Sequence, residues 1–557
     1  MKRIFLYVFA IATVLTGCHH ASVPEHYTDV NKAPDIYPDY RDVTIPVNIA
    51  PLTFEMNDST CEEVVARFTL ASGSQTESVR SGFPAAAIAP HDASVRSGFP
   101  AAAITLVCGG DKVQPDIADW RQLTAAAKGE AILVDVFTRS GNQWQHYNPF
   151  KIYVSPDSID PYISYRLISP SYVAYEELTL NQRCLENYDE AVMVDNMLCS
   201  TEDKGQCVNC HNYQQYNPQR MQFHARQNHG GTVICYDGTV RKINMRNDSI
   251  ISAGVYPAWH PWLPLIVYST NHTGQSFHTH NNNKIEVFDS ASDLIAYDVE
   301  NNEVTNIEND TTEFEVYPCW APDGRSIYYC SAHFEFRDTV SKEMEVILRA
   351  KEIKYNIYRK SFDPDTYTFG PRELVFAADS LDKSATLPRI SPDGRFLMFT
   401  LGNYGVFHIW HHEADLWMMD LSRDLVPRTS YLAPRTSYLV PRTSYLAPRK
   451  IEEINSDDTE SYHSWSSNGR WVVFSSRRND GGFTRPFIAH IDADGKGSKA
   501  FELPQADPDY HRQFMKSYNI PEFMRGPVEV TPQTFASTLK GSDGEPVKYV
   551  RRLRIEN

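Results

Sequence analysis

From residue 229 onward the chain repeats one pattern of apolar and polar positions. A short apolar stretch with an aromatic residue precedes a polar turn, and a second apolar run follows that turn. The turns read Asp323-Gly324, Asp393-Gly394 and Asn468-Gly469. Glycine takes the positive φ that a tight hairpin requires. The pattern predicts antiparallel strand pairs, and apolar segments at 293–298, 356–362 and 415–420 predict a second hairpin in several repeats.

Equivalent positions in these repeats are Trp259, Trp320, Ile390 and Trp465. Their spacing is roughly 50–75 residues, enough for four antiparallel strands with loops, so each repeat predicts one blade of a β-propeller. Residues 230–245 are expected to begin a further blade, and the C-terminus is expected to help close the ring. We expect six blades, with five or seven as alternatives. The first repeat departs from the pattern because residues 261–264, Pro-Trp-Leu-Pro, replace the glycine turn.

Alternating strand-like runs also precede the propeller, with turn clusters between them. They lie at 43–49, 64–70, 104–108, 131–137 and 150–154, with a short helix expected at 120–128. Such runs predict a small β-sandwich-like domain, so the expected fold class is all-β. The predicted organisation is a signal peptide at 1–18, a tether at 19–40, the sandwich-like domain at 41–155, an irregular connector at 156–228 with helical stretches at 176–181 and 186–197, a propeller at 229–535 and a tail at 536–557.

Two short tandem repeats interrupt this organisation. Residues 78–88 recur letter for letter at 94–104, and a seven-residue unit beginning at Pro427 recurs to residue 448. The proline in each seven-residue unit excludes a coiled coil. We interpret both tracts as duplications that surface loops tolerate; the alternative for the basic second tract is a binding role.

The N-terminus has the pattern of an export signal. Lys2 and Arg3 precede an apolar run at 4–15, which ends in Gly17-Cys18 and polar sequence. The apolar run is too short to span a bilayer, which needs about 20 residues. We therefore expect a chain that is lipidated at Cys18 and tethered in a bacterial envelope, periplasmic or outer-membrane associated; an ordinary cleaved signal peptide is the alternative.

The composition excludes some classes of function. The 557 residues carry a formal charge of −17, whereas nucleic-acid binding requires a basic face. The sequence has no Gly-x-Ser-x-Gly motif and too little chain after residue 500 for a hydrolase domain.

Residues 207–211, Cys-Val-Asn-Cys-His, have the spacing of a c-type haem attachment motif. In such a motif the thiols of Cys207 and Cys210 bond the porphyrin, and His211 is the proximal iron ligand. The alternatives are a redox dithiol, half of a zinc site or an accidental match. A zinc site needs a second close pair of ligands, and Cys184 with Cys199 is a poor one.

A distal ligand would have to come from nearby residues. We favour Met221 or His224 over His229, and an open sixth position remains an alternative. The remaining cysteines are expected to be buried free thiols, although Cys319 and Cys330 flank one turn and could pair. His272, His278 and His280 suggest a polar loop rather than a metal site, and His408, His411 and His412 suggest blade packing or rim residues.

The Trp-Ser-Pro-Asp-Gly-Arg type of repeat resembles the TolB-type propeller repeat. More closely, residues 35–525 resemble a family of Bacteroidetes lipoproteins labelled TolB-like or cytochrome c biogenesis proteins. The segments that carry this resemblance are 147–154, 160–162, 221–226, 230–232 and 461–470. The resemblance implies a β-rich N-terminal region, one Cys-x-x-Cys-His motif and a propeller; the family's label does not define an activity.

Three functions fit these patterns. The first is an exported, lipid-anchored mono-haem protein that carries one covalent haem c and transfers single electrons, with the propeller as docking platform for a redox or envelope partner. The second is a non-enzymatic envelope module that binds a protein, peptide or glycan, with haem structural, sensory or absent. The third is a haem enzyme such as a peroxidase, for which no distal Arg/His pair is identifiable.

Overall fold

A computed structural model describes residues 19–71, 105–169, 177–201, 206–278, 283–337, 341–422 and 448–553. Cys18 and the signal peptide, both copies of the first tandem repeat and all but the last residue of the second lie outside these ranges. No helix among the described residues has the length and apolar character needed to cross a membrane.

The N-terminal part forms two sheets and a helix. The larger sheet contains His19–His20, Thr28–Asp29, Thr44–Pro46, Glu63–Leu70, Thr105–Gly110, Ala131–Ser140, Gln143–His146 and Phe150–Ser155. The smaller contains Ile36–Tyr37, Phe54–Met56 and Lys112–Val113. The helix Ile117–Ala126 begins at Asp116, whose carboxylate accepts hydrogen bonds from the first free backbone N–H groups. Its Trp120 is fully buried between the sheets.

The rest of the chain is built from four-stranded antiparallel sheets, here called blades, each with its inner strand on the axis side. The first five follow the chain in order: Gln206–Gln214, Asn217–Gln227, Gly231–Tyr236 and Thr239–Asn244; Val255–Trp259, Leu265–Phe277, Ile285–Asp298 and Glu303–Glu308; Glu313–Trp320, Ser326–His333, Asn356–Asp363 and Thr368–Phe376; Ser384–Ile390, Phe396–Gly402, Asp415–Asp420 and Arg449–Lys450; Glu460–Trp465, Trp471–Ser476, Arg485–His490 and Phe501–Glu502.

The sixth blade combines two distant parts of the chain. Its inner strand is Ser517–Met524, and its other strands are Tyr162–Ile168, Thr179–Cys184 and Glu190–Asp195. Inner strands of successive blades contact one another, and the inner strands of the sixth and first blades also touch. This strand order confirms the predicted all-β propeller.

Short helices and a C-terminal tail complete the described structure. The helices are Asn196–Cys199, Lys342–Leu348, Tyr510–Gln513 and Pro532–Gly541, with 3-10 turns at Ala350–Glu352, Asp379–Leu381 and His408–Trp410. In the tail, Glu545–Pro546 pairs with the outer strand of the first blade and Lys548–Tyr549 with that of the second.

The predicted connector differs most from the structure. Residues 156–228 are expected to be irregular with two helical stretches, but they contain five blade strands. The stretches at 176–181 and 186–197 overlap the strands Thr179–Cys184 and Glu190–Asp195. The strand Thr179–Cys184 pairs on both sides, with Tyr162–Ile168 and with Glu190–Asp195. Hydrogen bonding along both edges of this strand overrides the local helical preference.

The possible Cys319–Cys330 pairing is also wrong, because both thiols are free. In the hairpin that carries them, Cys330 lies opposite Val316, whereas Cys319 lies opposite Tyr328. The glycines of the three predicted turns do take positive φ, 59° at Gly324, 75° at Gly394 and 67° at Gly469.

We expect closure of the ring to depend on the strand Ser517–Met524. Its Tyr518, Phe523 and Met524 are at most 1% exposed, and each buried side chain of this size contributes about 1.5–3 kcal/mol. A chain ending at Lys516 should lose cooperative thermal unfolding by circular dichroism. The matched control ends at Thr531, which removes the tail but keeps the strand, and should unfold cooperatively at a lower Tm. Identical melting of the two truncated chains would contradict this role.

Candidate functional site

Each inner strand contains a bulge at the same place. One residue per strand takes the left-handed conformation, and the pairing with the next strand shifts there. These residues are Cys210, Tyr256, Tyr317, Leu387, Tyr462 and Ile520, with φ between 49° and 56°. A non-glycine residue in this conformation costs on the order of 1–3 kcal/mol, so its recurrence shows that the ring packing holds it.

The haem-like motif occupies this repeated position. Cys210-His211 corresponds to Tyr256-Pro257, and His211 also corresponds to His463 of the fifth blade. Proline suits the position because a bulge does not require its missing N–H. The motif thus lies within the inner strand of the first blade, with Cys207 opposite Arg226 and Asn209 opposite His224 on the neighbouring strand.

The bulges surround a narrow throat on the ring axis. The throat has a volume of about 40 Å³, which is room for a few water molecules. Cys210, His211 and His463 line it, together with a partly buried ion pair in which Arg389 lies 3.1 Å from Glu522. Burial raises the pKa of both the Cys210 thiol and the Glu522 carboxyl.

Two wider cavities open from the throat. The first, the Cys207 mouth, has a volume of about 370 Å³ and shares Tyr256, Tyr462 and Ile520 with the throat. The second, the tryptophan mouth, has a volume of about 160 Å³ and is lined by the repeated residues Trp259, Trp320, Ile390 and Trp465. The side chains predicted as repeat markers therefore surround one end of the axis.

The Cys207 mouth combines aromatic and cationic side chains. Phe407, Tyr256 and Tyr462 form apolar walls, and Arg166 and Arg226 contribute the charge. No aspartate or glutamate among the described residues lines it. Arg166 donates a hydrogen bond to the amide oxygen of Asn209, which fixes the guanidinium beside the motif strand.

The predicted haem site residues do not come together. Cys207 lines the Cys207 mouth, whereas Cys210 and His211 line the throat. Met221 is fully buried in the core that joins the first and sixth blades, His224 lines a separate groove, and the backbone N–H of His229 donates to Gln206. In the described part of the chain, no group of three or more His, Cys, Asp or Glu residues could hold a metal ion.

These positions do not fit a covalent haem c. The macrocycle would have to bond both thiols while a ring nitrogen of His211 binds its iron, but the two cysteines line different cavities. His211 is 1% exposed, and neither ring nitrogen makes a hydrogen bond of normal geometry, although the Ser164 backbone approaches the ring. A throat of about 40 Å³ has no space for a porphyrin.

Sequence reasoning missed Arg166, Arg226 and Phe407 because nothing local marks them. One signal was available: Cys210-His211 aligns with the Tyr-Pro dipeptide of the later repeats. The first blade hid this alignment because its inner strand, Gln206–Gln214, has no Asp-Gly turn after it.

Comparison with known proteins supplies only remote structural likeness. TolB from Acinetobacter baumannii is 12% identical, with 73% of this chain and 85% of that chain covered and a TM-score of 0.38. Prolyl oligopeptidase B from Galerina marginata is 10% identical over 66% of this chain and 42% of its own, with a TM-score of 0.32. A DUF4784 family protein from Bacteroides caccae is 8% identical over 87% and 98%, with a TM-score of 0.28.

The chain therefore spans less than half of that oligopeptidase. No protein-family model matches the sequence, and no curated protein matches it. Since all three TM-scores are below 0.5, the fold assignment rests on this chain's own strand order.

The burial of His211 in the throat predicts that the stability of the protein falls at acidic pH. Burial lowers the pKa of His211 to about 3, from an ordinary value of 6.5. The folded protein therefore keeps the ring neutral while the unfolded chain takes up a proton below pH 6.5, and stability falls as the pH falls from 6.5 towards 3. Each pH unit in this range costs about 1.4 kcal/mol.

Urea unfolding between pH 7 and pH 5 should show this effect. His211→Gln is expected to lose about 2 kcal/mol less stability than the unchanged chain over that interval. The exposed His26→Gln is the control and should follow the unchanged chain. If His211→Gln shows the pH dependence of the unchanged chain, a neutral buried ring at this position is wrong.

Proposed function

We propose that this chain is an exported, lipid-anchored binding module that holds a partner at the Cys207 mouth of its propeller. The proposal rests on one observation. Aromatic, aliphatic and cationic side chains from distant parts of the sequence line one cavity of about 370 Å³ on the ring axis. Cavities of this size with a few polar groups are typical of ligand sites.

The chemistry of the mouth favours an extended peptide segment or chain end of an envelope protein. Tyr256, Tyr462 and Phe407 suit an apolar or aromatic side chain. Arg166 and Arg226 suit a carboxylate, which a guanidinium binds through two parallel hydrogen bonds. The chain as a whole carries a formal charge of −17, so these arginines form a local exception to an acidic protein.

The throat supports binding rather than covalent chemistry. A nucleophilic cysteine needs a lowered pKa, whereas burial raises that of Cys210. Arg389 and Glu522 neutralise each other within the wall. No described residue of the throat therefore offers an activated nucleophile with an adjacent base.

Export and anchoring are part of the proposal and rest on the sequence at 1–18. The resemblance to Bacteroidetes TolB-like lipoproteins fits the same compartment. A module tethered through Cys18 and a polar segment would present the propeller to other proteins of the envelope.

Cross-linking from the mouth tests the proposal. Benzoylphenylalanine at Gln275, an exposed residue of the mouth, should photo-cross-link in intact cells to a discrete protein partner. The same group at Lys496, an exposed turn residue of the fifth blade, should not give that product. Phe407→Ala should reduce the Gln275 product at least fivefold. Equal cross-linking from both positions, or none from Gln275, would refute the proposal.

The second candidate is the mono-haem electron carrier, which the motif at 207–211 favours. Because Cys207 and Cys210 line different cavities, we expect that no haem becomes covalently attached. Expressed with the c-type maturation machinery, the chain should give no pyridine haemochrome band that survives denaturation, and Cys207→Ala with Cys210→Ala should retain the propeller. A covalent haem band that both replacements abolish would instead establish the electron-carrier function.

A further inference from the structure

A groove separate from the axis lies between the first and second blades. Its volume of about 760 Å³ is within the range of small-molecule sites, which span about 300–1,000 Å³. Strands Asn217–Gln227 and Gly231–Tyr236 and the loop after Asn244 form one wall, and the long strand Leu265–Phe277 with its neighbour forms the other. The groove adjoins the Cys207 mouth, with which it shares Arg226.

The groove concentrates positive charge. Arg226 and Arg246 both line it and are exposed, and neither guanidinium pairs with a carboxylate of the described residues. Both arginines also act on the neighbouring His224. Burial is the main reason that its pKa is lowered to about 3, and the positive charges of Arg226 and Arg246 lower it further. The third cation, Lys242, is already used: its ammonium donates to the carbonyl oxygens of Leu539 at 2.9 Å and Ser542 at 2.8 Å.

Arg246 lies against the turn at Gly230. Its guanidinium is 3.8 Å from the place where a Cβ on Gly230 would stand, which is an ordinary van der Waals distance. The Gly230 N–H donates to Gln227 at 3.0 Å, which closes the turn beneath it. The acidic residues of the lining are Glu343 and Asp543, and neither forms an ion pair with the two arginines.

Neutral hydrogen-bonding side chains share the rest of the groove with apolar ones such as Ile251 and Val255. The polar residues include Asn228, Asn244, Ser252, Thr273 and Ser290, and no Phe, Tyr or Trp among the described residues lines the groove. Amides and hydroxyls of this kind match the alternating donors and acceptors of sugar hydroxyls. Guanidiniums match a carboxylate or phosphate through paired hydrogen bonds.

We propose that this groove binds an anionic saccharide, whose carboxylate or phosphate contacts Arg226 and Arg246 and whose hydroxyls contact the amides and hydroxyls around them. The site is additional to the Cys207 mouth, and its partner is a small carbohydrate rather than a protein. A neutral sugar would leave the two guanidiniums without a counter-charge.

Isothermal titration calorimetry on the full chain tests the proposal with four probes: trigalacturonate, its fully methyl-esterified form, galactose 6-phosphate and inorganic phosphate. We expect trigalacturonate or galactose 6-phosphate to bind at least tenfold more tightly than the ester. Whichever of the two binds identifies the anion as a carboxylate or a phosphate. Arg246→Ala should weaken that binding at least tenfold, Arg246→Lys less, and the exposed Arg325→Ala, which is outside the groove, by less than twofold.

The proposal would be overturned by equal affinity for the methyl ester, by unchanged affinity after Arg246→Ala, or by binding of inorganic phosphate as tight as that of either anionic sugar. Failure of both anionic sugars to bind at 10 mM would also overturn it. Arg246 does not line the Cys207 mouth, so cross-linking from Gln275 should persist in Arg246→Ala and the two proposals can fail separately.

Discussion

The antiparallel pairing of Tyr162–Ile168 with Ser517–Met524 is the constraint on which the rest of the structure depends. It joins strands that are more than 300 residues apart and completes the sixth blade, so the first blade gains a neighbour on its open side. Arg166 on one of these strands reaches the motif strand, and Glu522 on the other reaches the throat. The walls of the Cys207 mouth and of the throat are therefore complete only when the two ends of the propeller meet.

The bulge ring explains why the axis is narrow. At each bulge a residue such as Tyr256 or Ile520 takes φ near 50° and lines the throat, and at five of the six bulges the next residue lines it as well. An isolated strand would avoid this backbone, above all at the β-branched Ile520. The six strands that share the bulge pack against one another, and this packing offsets the conformational cost of the left-handed backbone at each of them. A throat built this way is too crowded for a large cofactor.

The sequence predicts the repeats well because hairpin chemistry is local. Gly324, Gly394 and Gly469 mark turns whatever the rest of the chain does. The strand Tyr162–Ile168 is not predicted because its partner strand lies at the other end of the chain. The mouth and the groove were not predictable, since Arg166 and Arg226 acquire meaning only when blades bring them to one cavity. Motif spacing located Cys207 and Cys210, but spacing carries no information about the bulge at Cys210.

The placement of the cations follows from the same geometry. Arg226 extends from the second strand of the first blade, where the long hairpin of the second blade passes, and its side chain lines both the mouth and the groove. The desolvated neutral His224 beside it adds no charge of its own, so the charged groups of the groove are the cations Arg226, Arg246 and Lys242 and the acidic Glu343 and Asp543. In a protein with formal charge −17, an acidic partner is repelled at long range, and these cations provide a local attraction. Such a field favours small or end-on anionic ligands over broad acidic surfaces.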